Sequence, residues 1–131
     1  MRHQGASIIF FNSHHQVLLV LRDDIPSIAS PGMWDLPGGH IEADESAEEC
    51  IVREMLEEME INVEGCSLFR IYEFSDHREY IFMQQANFEP HNIVLHEGQM
   101  TRWFSKEEAA GTELACGFNE VLADYFDSLP G

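Results

Sequence analysis

Glu54, Glu57 and Glu58 stand at i, i+3 and i+4 within residues 38–61, GGHIEADESAEECIVREMLEEMEI. Successive residues of a helix turn by about 100°, so these three carboxylates share one face. The stretch carries nine acidic residues and a single basic one, Arg53. Like charges at such spacings destabilise a bare helix, and something must offset that cost. Hard divalent cations take oxygen ligands, and clustered carboxylates supply them. Ala47 and Cys50, the small residues nearest that face, would leave room for ions and a substrate. A solvated acidic face on an acidic protein has the same pattern, so the helix alone leaves both readings open.

The opposite side of this helix is apolar. Ile51, Met55 and Met59 recur at four-residue steps, with Val52 and Leu56 widening the arc. The spacing predicts a helix over 46–59, opened by Ser46 and Glu49 as an S-x-x-E capping box. Residues 5–12 and 16–21 read as strands joined by the turn NSHH, in which His14 and His15 are solvent-facing turn residues. Residues 23–32 form a loop with Pro26 and Pro31, and PGGH reads as a backbone break. Residues 62–74 and 79–88 read as two strands joined by SDHR, and 99–104 as a last strand. A short helix follows over 105–110, capped by Ser105 with Glu108 three residues on. Residues 117–129 make an amphipathic helix with Phe118, Val121, Leu122, Tyr125, Phe126 and Leu129 on its apolar side. The order implies an α+β fold, a sheet flanked by helices, in one domain over 1–131.

Composition narrows the function. With 24 acidic and 7 basic residues among 131, the formal charge is −17. Such a surface repels nucleic-acid polymers and anionic membranes, and no apolar run is long enough to cross a bilayer. A small phosphorylated substrate fits only if cations reverse the local sign. Cys50, Cys66 and Cys116 are far apart and odd in number, which argues against a disulfide framework or a thiolate zinc site and for reduced, mostly buried thiols. The start lacks the features of a secretory signal, so a cytoplasmic location is expected.

Gly39, five residues, Glu45, seven residues, then REMLEEMEI resembles the signature of the Nudix (MutT-like) hydrolase family, G-x5-E-x7-R-E-U-x-E-E-x-G-U, where U is a bulky aliphatic. The preceding GMWDLPGGHIE resembles the family's usual approach to it. One fixed position departs: Glu60 stands where the family has glycine. The resemblance implies an α/β/α sandwich with a mixed β-sheet. It also implies Mg²⁺- or Mn²⁺-dependent hydrolysis of a nucleoside diphosphate linked to another moiety. Carried over by position, Glu57 and Glu58 are metal ligands, and Glu54 is a ligand or the base. The carbonyl of Gly38 or Gly39 joins that shell, Arg53 orients the glutamates, and Glu45 braces the turn into the helix. Family members often recruit a further acid outside the signature, and Glu97 resembles it, as ligand or base; His96 is the weaker candidate for base. The family's glycine sits where the helix ends, a position that favours positive φ. Glu60 therefore implies a strained or re-routed helix end, with Asn62 able to take over the left-handed turn.

Substrate recognition lies outside the signature. Trp34, Tyr72, Phe74 and Phe82 are aromatic candidates for a base platform. Asn119 falls where relatives that clear oxidised dGTP place a base-reading asparagine. Arg70, Arg78 and Arg102 could meet phosphate or sugar. The narrowed substrate set is Asn119, Trp34, Arg70 and Phe74. The first expectation is a (deoxy)nucleoside triphosphate pyrophosphohydrolase releasing NMP and pyrophosphate. Hydrolysis of a nucleotide sugar or dinucleoside polyphosphate is the alternative in the same site. A non-catalytic nucleotide- or metal-binding sensor is the third, and retention of all three helix glutamates argues against it. Dimers are common in the family, so the resemblance also implies a homodimer.

Overall fold

The structure, a computed structural model, describes residues 3–130. In chain order the strands are β1 (His3–Phe11), β2 (Val17–Leu21), β3 (Trp34–Asp35), β4 (Gly38–His40), β5 (Ser67–Glu73), β6 (His77–Gln85) and β7 (Met100–Phe104). The helices are α1 (Ala47–Met59), between β4 and β5, then α2 (Lys106–Ala110) and α3 (Phe118–Asp127) after β7. Two single 3₁₀ turns lie at Pro90–Asn92 and Ala115–Gly117.

The strands form one mixed sheet. β1 runs parallel to β6 along its whole length, from His3 opposite His77 to Phe11 opposite Gln85. All other pairings are antiparallel: β1 with β2 and β4, β2 with β3 and β7, and β5 with β6. Alternation along β1 sends Ala6, Ile8 and Phe10 to one side and Ile9 to the other. The first set packs with Cys50, Ile51, Met55 and Met59 of α1. The second packs with Phe118, Val121, Leu122 and Tyr125 of α3. Two apolar layers therefore sandwich the sheet, as the resemblance implies.

Helix α1 begins as its sequence dictates. Ser46 is extended, its hydroxyl accepts from Glu49 N at 3.0 Å, and the Glu49 carboxylate accepts from Ser46 N at 2.8 Å. Its end corrects the expectation about Asn62. Glu60 itself takes the left-handed conformation, with φ 56° and ψ 36°. Asn62 is not left-handed; its side-chain oxygen accepts from Glu64 N at 2.9 Å, a local Asx turn. That turn also delays the next strand, which starts at Ser67 rather than at 62. PGGH is not a break: Gly38 to His40 are strand β4, paired with Ser7, Ala6 and Gly5. Two glycines have no side-chain alternation to reveal a strand. The cysteines are all free, but only Cys50 is buried, and Cys116 is exposed.

Candidate active site

Strand β4 brings the chain to the start of α1 through two glycines in close quarters. A Cβ on Gly38 would collide with the Ala6 carbonyl oxygen, and one on Gly39 with the Glu54 carboxylate. The backbone thus approaches α1 as closely as a side-chain-free residue allows. Behind it, the Cys50 thiol donates to the His40 carbonyl at 3.4 Å, and burial pushes its pKa to about 12, so it remains a neutral thiol.

Arg53 organises the first half of the site. Its Nε and Nη2 donate to the two oxygens of Glu45 at 2.6 and 3.0 Å, a bidentate fork. Nη1 donates to Glu54 at 2.9 Å and to Glu57 at 3.2 Å, and Nη2 reaches the His40 carbonyl at 3.2 Å. Glu45 in turn accepts from Glu42 N at 3.0 Å. The guanidinium beside it, with that backbone bond, lowers the Glu45 pKa to about 2. One cation ties the loop at 42–45, strand β4 and α1 together.

The second half has the opposite character. Glu58 and Glu97 are within hydrogen-bonding reach of each other, and burial, Glu97 and Glu54 together push the Glu58 pKa far above the carboxylate range. Both line an open cleft shared with Arg22, Asp23, Asp35 and Gly38. Arg22 pairs with Asp35 at 2.9 Å on the floor of that cleft. Glu97 arrives from the irregular segment 93–99, far from α1 in sequence; His96 N donates to the Glu58 carbonyl at 2.8 Å. Glu58 is half-buried and Glu97 exposed, and two carboxylates in such close contact favour a proton or a cation between them.

Residues 1–125 match the NUDIX domain. The chain belongs to the NUDIX family. It is 42% identical over 82 residues to a putative 8-oxo-dGTP diphosphatase of Bacillus subtilis, a match covering 60% of this chain and 51% of that protein. The chain thus spans about half the length of that relative. It is 28% identical over 128 residues to human diphosphoinositol polyphosphate phosphohydrolase 2, covering 95% of this chain and 68% of that one. Among solved structures, a MutT described for Aliivibrio salmonicida and Vibrio cholerae superposes with a TM-score of 0.80 at 25% identity, covering 98% of this chain and 100% of that one.

Against the NUDIX signature, the donor set suits a hard divalent cation: carboxylates of Glu54, Glu57, Glu58 and Glu97 and the carbonyl of Gly39. Among the described residues no group of three or more His, Cys, Asp or Glu stands arranged so that it could hold a metal ion. The reason is visible in the contacts, since Arg53 draws Glu54 and Glu57 toward itself while Glu58 lies against Glu97 and Glu54.

The residues expected to read substrate are scattered. The Asn119 amide is committed to backbone: its oxygen accepts from Leu114 N at 2.8 Å, and its nitrogen donates to Thr112 and Ala109 carbonyls at 2.7 and 3.4 Å. It braces the entry to α3 instead of presenting a free edge. Trp34 lies edge-on to Phe104 under the Arg102 guanidinium, partly buried on the α3 side. Phe74 stacks on Tyr72 and on His77 at the end of β5. Arg70 pairs with Asp124 at 3.5 Å and lies over Phe69, and Arg78 is paired with Glu73. Phe82 is core beneath α1. None of the four in the narrowed set lines the Glu58–Glu97 cleft.

Sequence reasoning missed Arg22 and Asp35 in the cleft and the buried Glu79 across the sheet. Glu79 receives a hydrogen bond from the Ser7 hydroxyl at 3.3 Å, and burial raises its pKa to about 7. A signal for it existed: Glu79 and buried Ile81 are two residues apart on one face of β6.

Proposed function

We propose that this NUDIX protein is a divalent-cation-dependent pyrophosphohydrolase acting on (deoxy)nucleoside triphosphates, giving the monophosphate and pyrophosphate. The observation that carries the reading is the close approach of half-buried Glu58 to Glu97 and Glu54 in a cleft, a like-charge contact that a bound cation would relieve. Glu58, Glu97 and Glu54, with the Gly39 carbonyl and the more exposed Glu57, would hold Mg²⁺ or Mn²⁺. The ion would neutralise the phosphates and make water more acidic. Arg53 holds Glu54 and Glu57 in place from the side, and Glu45 fixes Arg53. Glu54 or Glu97 accepts the proton of the attacking water as one P–O–P linkage opens. Arg22, the one basic residue among those lining the cleft, is placed to meet a phosphate oxygen.

The Bacillus relative's description as a putative 8-oxo-dGTP diphosphatase supports a nucleoside triphosphate. A densely phosphorylated substrate, such as the name of the human relative specifies, calls for a basic cleft. Here the lining has one arginine, on a chain of net charge −17.

The test is turnover of purified protein on nucleoside triphosphates, oxidised dGTP, nucleotide sugars and dinucleoside polyphosphates, with Mg²⁺ and with chelator. Chelator-sensitive release of pyrophosphate is expected. A sugar phosphate or two nucleotides would select the alternative substrates, and binding without turnover would select a sensor. Glu57→Gln and Glu58→Gln should each lower turnover by roughly 100-fold or more with the far-UV spectrum unchanged. Near-normal rates in both variants would sink the assignment.

A further inference from the structure

The segment 93–99 is neither helix nor strand, yet it delivers Glu97 to Glu58. Its placement rests on anchors on both sides of Glu97. Toward the sheet, Gln99 N donates to the Leu21 carbonyl at 2.8 Å, and Gly98 N to Asp23 at 3.3 Å. Toward the helix, His96 N donates to the Glu58 carbonyl at 2.8 Å, and His96 Nε2 donates to Glu60 Oε2 at 2.6 Å. Glu60 is the residue that departs from the family signature, and it sits left-handed at φ 56° where glycine would rest without strain.

We propose that Glu60 is a positioning residue: its carboxylate grips His96 so that the next residue, Glu97, is held against Glu58, and the strained helix end is what this grip costs. The inference rests on the reading of Glu97 as a cation ligand. Both partners are about half exposed, at 54% and 56%, so the contact adds little to global stability. Its effect is on where a seven-residue irregular segment sits.

Three variants of the full chain test it: Glu60→Gly, Glu60→Gln and Glu97→Gln, alone and combined. Hydrogen exchange is followed at the amides of 96–99 without metal, and Mn²⁺ alone is titrated. Glu60→Gly should raise Tm by a few degrees, because strain is relieved. The same variant should speed exchange at 96–99 by roughly 10-fold and weaken Mn²⁺ affinity by roughly 10-fold. A role confined to the helix end predicts the first change without the other two. Glu60→Gln keeps an acceptor for His96 and should hold both within about 2-fold of the wild type. In the Glu97→Gln background, Glu60→Gly should cost no further Mn²⁺ affinity.

Unchanged exchange and affinity in Glu60→Gly would overturn the proposal. So would Glu60→Gln behaving like Glu60→Gly, which would reduce the effect to lost charge. Wild-type protein that neither binds Mn²⁺ nor turns over would instead overturn the metal reading, and the exchange data would then judge the grip by themselves.

Discussion

Around Arg53, four carboxylates (Glu42, Glu45, Glu54 and Glu57) lie within 4 Å of one guanidinium. Five residues further along the same helix, half-buried Glu58 lies against Glu97, and its acidic neighbours only raise its proton affinity. The first arrangement is electrostatically satisfied by the chain itself. The second is satisfied only by something added, a proton or a cation. The helix thus carries a scaffold around Arg53 and a receptor around Glu58, with Glu54 and Glu57 shared between them, although all are built from glutamate. What separates them is the reach of a single planar fork, which extends from Arg53 to Glu57, about one turn along the helix.

This contrast can be broken at its strongest point. Arg53→Ala should strand Glu45 and Glu54 without a counter-charge, lower Tm by about 5–10 °C and remove most turnover. Thermal melts and rate assays on the same preparation check both. The pH dependence has a definite sign. The Glu45 pKa is lowered, so its contribution is present above its unfolded value near 4.5 and is lost as pH falls toward about 2. The Tm gap between wild type and Arg53→Ala should therefore narrow over that acid range. A gap that is flat down to pH 2 would mean that Glu45 does not carry the scaffold.

Glu79 supplies an intermediate case, a buried acid with a hydroxyl donor from Ser7, the His77 imidazole at 3.5 Å and no fork. Its pKa is raised to about 7, so the folded state holds a proton that the unfolded state has released. Its contribution is full below about pH 4.5 and is lost as pH rises through 7. Glu79→Gln should thus raise Tm by a few degrees at pH 8 and by less at pH 5, read from melts at the two pH values. Equal shifts at both would place Glu79 with the satisfied acids.

The smallest effect concerns Asn119. Asn119→Ala removes three hydrogen bonds to backbone and should cost about 1–2 kcal/mol in chemical unfolding. KM for a nucleoside triphosphate should stay within about 2-fold, since the amide does not line the cleft. A much larger rise in KM would return Asn119 to the substrate site.

How much of this was legible beforehand depended on how local the cause was. The start of α1 was, because a capping box and a four-residue apolar rhythm act within a few residues. The carboxylate face was legible for the same reason. Strand β4 was not, because Gly38 and Gly39 pair through backbone alone. The turn at 60–66 was only half legible: the departure at Glu60 was visible, but the partner that makes use of it, His96, lies 36 residues away. The aromatic and amide candidates lie away from the cleft, and residue type alone could not show that. Residue type suggests a platform or a base reader, but only packing tells that Phe82 lies under α1 and that Asn119 is spent on the main chain.

The parallel pairing of β1 with β6 also has a consequence in time. His3 and His77 are 74 positions apart, so the central ladder closes a long loop that contains the whole acidic signature. On the ribosome, residues 38–61 emerge well before β6 exists to fix β1. The apolar stripe of α1 must wait, with half of its eventual bed missing, until about residue 85 has been made. Folding of this chain should therefore be late and cooperative, with the cation receptor assembled in the same event as the sheet.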